Sequence, residues 1–283
     1  MNNWQKIPVI LSLIFLFVIS FAIVSSLILN YSGAHSIDLN QSASPPSWAH
    51  PFGTNTLGQD QLSRVIIGGR ISLAVAIMSM LVAIFLGITI GALAGFYGGI
   101  VDQLLMRVLE VFLALPQLPV LLLMIYLFKD MARTLAGPSF GIFGLIVVII
   151  GGLNWMPLAR LVRANFLKLK GMDFVAAARA TGASDSRIIL MHLLPNTWHI
   201  IIVSATITVA NAIITESTLS FLGLGFPPDV PTWGRLLFDA KDYLDSDPYL
   251  AIFPGLIIFL SVLSINTLGE STKDALDSSF RYF

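Results

Sequence analysis

Long apolar runs separated by short polar stretches dominate this chain. A bilayer core about 30 Å thick needs roughly 20 apolar residues in a helix rising 1.5 Å per residue. Six segments reach that length: Val9 to Leu29, Ile71 to Phe96, Leu104 to Phe128, Phe140 to Leu161, His199 to Leu222 and Tyr249 to Leu268. The pattern predicts an all-α integral membrane protein with six transmembrane helices. Lys6 and Ser32-Gly33-Ala34 give the first run the outline of a secretory signal. Its length and the five spans after it favour a retained helix.

Small and cyclic residues punctuate the spans. Gly87, Gly91 and Gly95 recur every four residues in the second and share one helix face. Such a face permits close backbone approach, as tight packing or as a sliding contact. Pro116 and Pro119 interrupt the third span, and Gly151, Gly152 and Pro157 the fourth. Each proline removes a backbone donor and bends the helix, which a membrane protein tolerates beside protein or a water-filled cavity. Between the first two spans, Ser44-Pro45-Pro46-Ser47 reads as an extended linker. Gly58 to Gly69 reads as a short surface helix with Leu62, Val65 and Ile66 on one face.

Composition agrees with lipid as the solvent. Of 283 residues, 56% are hydrophobic and 11% charged, against about 25% charged in an average soluble domain. Sixteen basic residues balance sixteen acidic ones, so no global field attracts nucleic acid. Cysteine is absent, and four scattered histidines do not suggest a metal centre. Charge is nevertheless uneven. Arg160, Arg163, Lys168, Lys170, Arg179 and Arg187 collect between the fourth and fifth spans, and Asp229, Asp239, Asp242, Asp245 and Asp247 between the fifth and sixth. Basic loops stay cytoplasmic, which places both termini inside, in agreement with Lys273 and Arg281; Lys129 and Arg133 fall outside against the rule.

Polar groups within the spans are candidates for a solute pathway or for interhelical contacts. They are Glu110, Glu216 and Asn154. Arg107 lies three residues before Glu110, near enough to pair on one face. Glu216 has no charged residue within a turn and needs a partner on another helix, a cavity or water.

The basic loop carries the most specific pattern. Asp173 to Gly182 reads as a short helix with Asp173 as cap, alanines in its body and Gly182 in the left-handed terminal position. A second helix starts near Ser184-Asp185 and runs into Leu194-Pro195. The smooth alanine face with Phe174 as apolar anchor suits docking to a protein partner.

This loop resembles the signature of permease subunits of ATP-binding-cassette importers: Glu-Ala-Ala, three residues, Gly, nine residues, then Ile, any residue, Leu-Pro. Here Ala176-Ala177-Ala178, Gly182 and His192-Leu193-Leu194-Pro195 occupy it, with Ala176 for the glutamate and His192 for the isoleucine. Those departures resemble the dipeptide, oligopeptide and nickel branch, second permease type. So do His50-Pro51-Phe52-Gly53-Thr54, Leu62-Ser63-Arg64, Gly69-Arg70-Ile71-Ser72-Leu73, Ala94 to Gly99, Glu216 to Gly225, Trp233-Gly234, Phe253-Pro254-Gly255 and Asp274 to Asp277. The branch often has Asp and Arg where this chain has Asn55 and Gln59.

The resemblance implies a type I importer permease fold with a cytoplasmic coupling-helix hairpin, in a bacterial cytoplasmic (inner) membrane. It divides the chain into an N-terminal helix and external segment (1–68), a permease core (69–270) and a cytoplasmic tail (271–283). Without a Gly-Lys dipeptide there is no phosphate-cradling loop, so the chain is not the ATPase and is expected to carry no catalytic site, metal or cofactor of its own. The implied partners are a second homologous permease, two ATPase subunits holding ATP and Mg, and an external solute-binding protein. The implied solute is a di- or oligopeptide, or nickel or a metal chelate. Coupling to the ATPase falls to Asp173, Phe174, Ala177, Ala178, Arg179, Gly182, Ser184 and Arg187. The rival reading is an ion-coupled secondary transporter using Glu110 and Glu216 as relay acids.

Overall fold

The computed structural model describes residues 3–28, 32–34 and 36–279; His35 and Arg281 fall outside them. Regular structure among these residues is helical, apart from one bridge between Thr54 and Asp60. Helices α1 (Asn3–Ile28), α2 (Gln61–Tyr97), α3 (Gly99–Ala114), α4 (Gln117–Ala136), α5 (Pro138–Leu153), α6 (Met156–Lys170) and α7 (Asp173–Ala180) come first. Then follow α8 (Asp185–Phe221, with a π-helical turn at Ile188–Leu193), α9 (Trp233–Ala240) and α10 (Tyr249–Ser279). Parts of α1, α2, α8 and α10 are each long and apolar enough to cross a bilayer, and the bent pairs α3–α4 and α5–α6 bring the total to as many as six.

The second span differs from its sequence reading. The expected surface helix and the span from Ile71 are one helix of 37 residues. Asp60 caps it, accepting from the Ser63 amide at 2.8 Å and the Ser63 hydroxyl at 2.6 Å. Gly98, at φ +69°, ends it. The apolar face of Leu62, Val65 and Ile66 packs into the core rather than onto lipid headgroups. The boundaries at 68/69 and 270/271 thus fall inside continuous helices, α2 and α10.

The third span is not one straight helix. At Leu115-Pro116 the axis turns by 89°, because proline removes the amide that would continue the ladder. Pro119 falls in the first turn of α4, where no helical donor is lost, and makes no second break. In the fourth span the bend is 42°, at Asn154-Trp155, with Pro157 in the first turn of α6. The fifth span begins earlier than its apolar stretch: the helix from Asp185 passes through Pro195 without stopping and ends at Phe221.

Helix α2 lies at the centre and touches α1, α3, α5, α6, α8, α9 and α10. Its glycine stripe meets α6. A Cβ on Gly91 would lie 2.5 Å from the Ala159 carbonyl oxygen, and one on Gly95 2.7 Å from Phe166 Cβ. The stripe is therefore a tight backbone contact. Phe17 and Phe21 of α1 face outward, consistent with lipid as their neighbour.

The segment before α2 is not an open linker. Ala43 donates to the Asn55 carbonyl at 2.9 Å and Thr54 to that of Ser44 at 3.0 Å, folding residues 38–60 back on themselves. Phe52 stacks on Phe253 with ring centroids 4.0 Å apart, and the Tyr249 hydroxyl donates to the Thr54 carbonyl at 3.2 Å. The fold-back therefore sits on the start of α10.

Because a methyl at position 91 has no free space, Gly91→Ala should lower the stability of the detergent-solubilised protein by roughly 1–3 kcal/mol. Gly144→Ala, with nothing within 4 Å of the new Cβ, should leave it unchanged or slightly raise it. Thermal unfolding midpoints of the two variants check this contrast.

Candidate functional site

At the end of the molecule where α2 and α6 finish, the chain makes a small helical hairpin. α7 has Met172 at its N-cap; Asp173 sits in the first turn and makes no capping bond, contrary to its sequence assignment. Its charge still suits the helix dipole there. Gly182, at φ +80°, closes the other end. Its amide donates to Arg179 O and that of Ala183 to Ala178 O, both at 3.0 Å. The turn leads into α8 at Ser184, so this hairpin is continuous with the fifth span.

The eight residues of α7 divide into two faces. Val175 (1% exposed) and Ala178 (9%) pack into a cluster with Phe96, Phe166, Leu169, Ile188 and Leu193. Ala178 thus belongs to the chain's own core, so the outer apolar face is Phe174 with Ala176 and Ala177. Ser184 and Arg187 are exposed beside it. Arg179 lies over the Phe96 ring, 5.9 Å from its centroid.

The opposite end holds a buried polar network that sequence reasoning did not assemble. Glu216 of α8 is fully buried and accepts from Ser72 of α2 at 3.0 Å and from Ser220 at 2.7 Å. Each of those hydroxyls accepts in turn, Ser72 from the Trp233 amide at 3.2 Å and Ser220 from the Thr232 hydroxyl at 3.4 Å. Trp233 Nε1 also donates to the Val65 carbonyl at 2.9 Å. One carboxylate thereby fastens α2, α8 and α9 together, and the partner Glu216 needed is a neutral hydroxyl on another helix.

Above it lies a cleft of about 610 Å³ lined by Asn55, Arg64, Asp229, Arg235, Asp239 and Tyr243, among others. Arg64 is buried on α2 and donates to Gln59 Oε1 and, at 3.5 Å, to Asp239; Arg235 pairs with Asp239 at 2.9 Å. Burial raises the Asp239 carboxyl above its ordinary value, against the lowering pull of Arg235 and Arg64. Asn55 and Gln59 keep a contact, Asn55 Nδ2 donating to Gln59 Oε1 at 2.9 Å. A neutral amide pair here bridges positions where the resembled branch often carries charge. Arg64 and Asp239 are 175 positions apart, beyond the reach of any local spacing rule.

The other candidate polar groups lie apart. Glu110 is more than half exposed on α3, 3.5 Å from Arg107, the pairing expected from their spacing. Asn154 ends α5 and donates from Nδ2 to the Ile150 carbonyl at 2.7 Å. Among the described residues, no group of three metal-ligating side chains occurs.

Residues 87–282 match the family model described as binding-protein-dependent transport system inner membrane component. The chain belongs to this family. Among relatives of this permease is the glutathione transport system permease protein GsiD of Pectobacterium atrosepticum, 37% identical over 98% of this chain and 88% of that one. A putative peptide permease protein of Brucella suis is 40% identical over 86% of this chain and 78% of its own length. The dipeptide transport system permease protein DppC of Bacillus subtilis is 37% identical over 94% and 81%. An inward-facing structure of the MetNI methionine transporter, at 18% identity, shares the fold with a TM-score of 0.58, covering 74% of this chain and 94% of that one. The permease is thus a multi-pass inner-membrane, non-catalytic subunit of an ATP-binding-cassette importer, and its system includes an ATPase and a binding protein.

Glu216→Ala leaves two buried hydroxyls without their acceptor, and should cost about 1–3 kcal/mol in thermal unfolding. Glu216→Gln keeps one acceptor oxygen and should cost less. Equal stability of both variants and the parent chain would contradict the network as drawn.

Proposed function

We propose that this permease is the second of two homologous, non-identical membrane subunits in an importer of short peptides, with α7 as the helix that docks on an ATPase. The observation that carries the reading is the two-faced construction of α7: Val175 and Ala178 hold it to the chain's own core while Phe174 and Ala177 stay free. Gly182 and the continuous helix behind Ser184 make it a stiff tooth on the fifth span. The relatives' names, for glutathione and dipeptide transport systems, support the solute class.

In this reading the basic hairpin end is cytoplasmic, as are both termini, and the acidic end with its cleft faces the binding protein. Asp173, Ser184 and Arg187 form the polar border of the docking face; Gly182 sets its angle. Two partner ATPases hold ATP and Mg, and closing them shifts the permease between inward-open and outward-open states. That shift is limited to the difference in ATPase affinity for the two. An ion-coupled mechanism would need Glu110 and Glu216 on a common proton route. Glu216 meets α2 at Ser72, whereas Glu110 lines a cavity with Arg163, which packs at Gly95. Those two levels are about 35 Å apart along a helix of 1.5 Å rise.

Ala177→Asp places a charge on the docking face without entering the permease core. It should reduce the ATPase recovered with affinity-purified permease at least ten-fold, while the unfolding midpoint of the permease stays unchanged. Ala178→Asp should instead lower that midpoint, because its charge would be buried in the chain itself. Undiminished recovery with Ala177→Asp would remove α7 as the docking helix. Uptake of a labelled dipeptide by cells with and without the permease tests the solute class.

A further inference from the structure

Two cations from different elements lie within reach of one buried ring. Phe96, at the end of α2, is 3% exposed. Lys170 Nζ, from the last residue of α6, lies 5.5 Å from its centroid, and the guanidinium carbon of Arg179, near the end of α7, lies 5.9 Å away. Both are within the range in which a cation is attracted to an aromatic face. Lys170 also donates to the backbone carbonyl of Phe96, one of the acceptors a helix C-terminus leaves without an intrahelical partner. Two like charges gathered at one place repel, and an aromatic ring within reach of both gives each an attractive surface. The same ring belongs to the apolar cluster that takes in Val175 and Ala178.

We propose that Phe96, Lys170 and Arg179 form the joint that locks α7 to the central helix α2, with Arg179 as a positioning residue that serves its own chain rather than the border of the ATPase contact. The inference rests on the reading of α7 as the docking helix. An eight-residue helix has too few internal bonds to hold its own orientation. With only Val175 and Ala178 turned inward, α7 could pivot about that short apolar line. Arg179 adds a contact at its C-terminal end, off that line, and makes helix and α2 one body. A push on Phe174 and Ala177 then reaches the helix that touches seven others.

The absence of cysteine from this chain allows a direct test in the intact transporter, assembled with cysteine-free partner subunits. Spin labels at Leu93→Cys on α2 and Ala180→Cys on α7 report the distance between them. The expected result is a narrow distance distribution in the parent, at least two-fold broader in Arg179→Ala and in Phe96→Leu, and narrow again in Arg179→Lys. ATPase recovery should be equal in all of them. An unchanged width in Arg179→Ala, with or without loss of ATPase, would overturn the joint. So would broadening in Arg179→Ala that Phe96→Leu does not reproduce. If Ala177→Asp fails to release the ATPases, the docking reading falls, while the label distances still report whether the joint exists.

Discussion

The contact between the glycine face of α2 and α6 governs the rest of the architecture. With no side chain at Gly87, Gly91 and Gly95, α6 comes close enough for its Ala159 and Arg163 backbone to meet α2 directly. In a bilayer the apolar effect does not press helices together, so dispersion at such close approach has to supply the association. This contact sets where α6 ends, and with it where Lys170 meets Phe96 and where the hairpin starts. A bulkier residue along the stripe would displace the hairpin end of the molecule as well as one pair of helices.

The two ends of α2 use different chemistry for one purpose. At the hairpin end, apolar packing and cations near an aromatic ring hold a short helix whose other face is exposed. At the opposite end, hydroxyls converge on Glu216, and two arginines converge on Asp239. A carboxylate surrounded by hydroxyl donors is compatible with burial, since a buried polar group is tolerated when its hydrogen bonds are made. α2 therefore links the hairpin and the acidic cleft in one continuous element.

Much of this was legible in the residues. Apolar runs placed the spans, because lipid forces every backbone donor to bond within its own helix. Gly182 announced the end of α7, since a left-handed position costs it nothing. The Arg107–Glu110 pair followed from helical spacing. Other features were hidden. Nothing near Leu115 distinguishes a gentle kink from an 89° turn, because proline removes a hydrogen bond without fixing the angle. Asp173 looked like a cap, yet the helix begins one residue earlier than the pattern suggested, with Met172 at its N-cap.

Where the apolar spans lie, and which stretch of the chain is basic, was determined by the chain of residues alone, since hydrophobic length and charge position are local properties. Which face of α7 looks inward, that Ala178 is core and Ala177 is surface, and that Ser72 answers Glu216 across 144 positions were decided only by tertiary packing. Two alanines one residue apart are chemically identical, and only the neighbour that arrives from another helix makes them different.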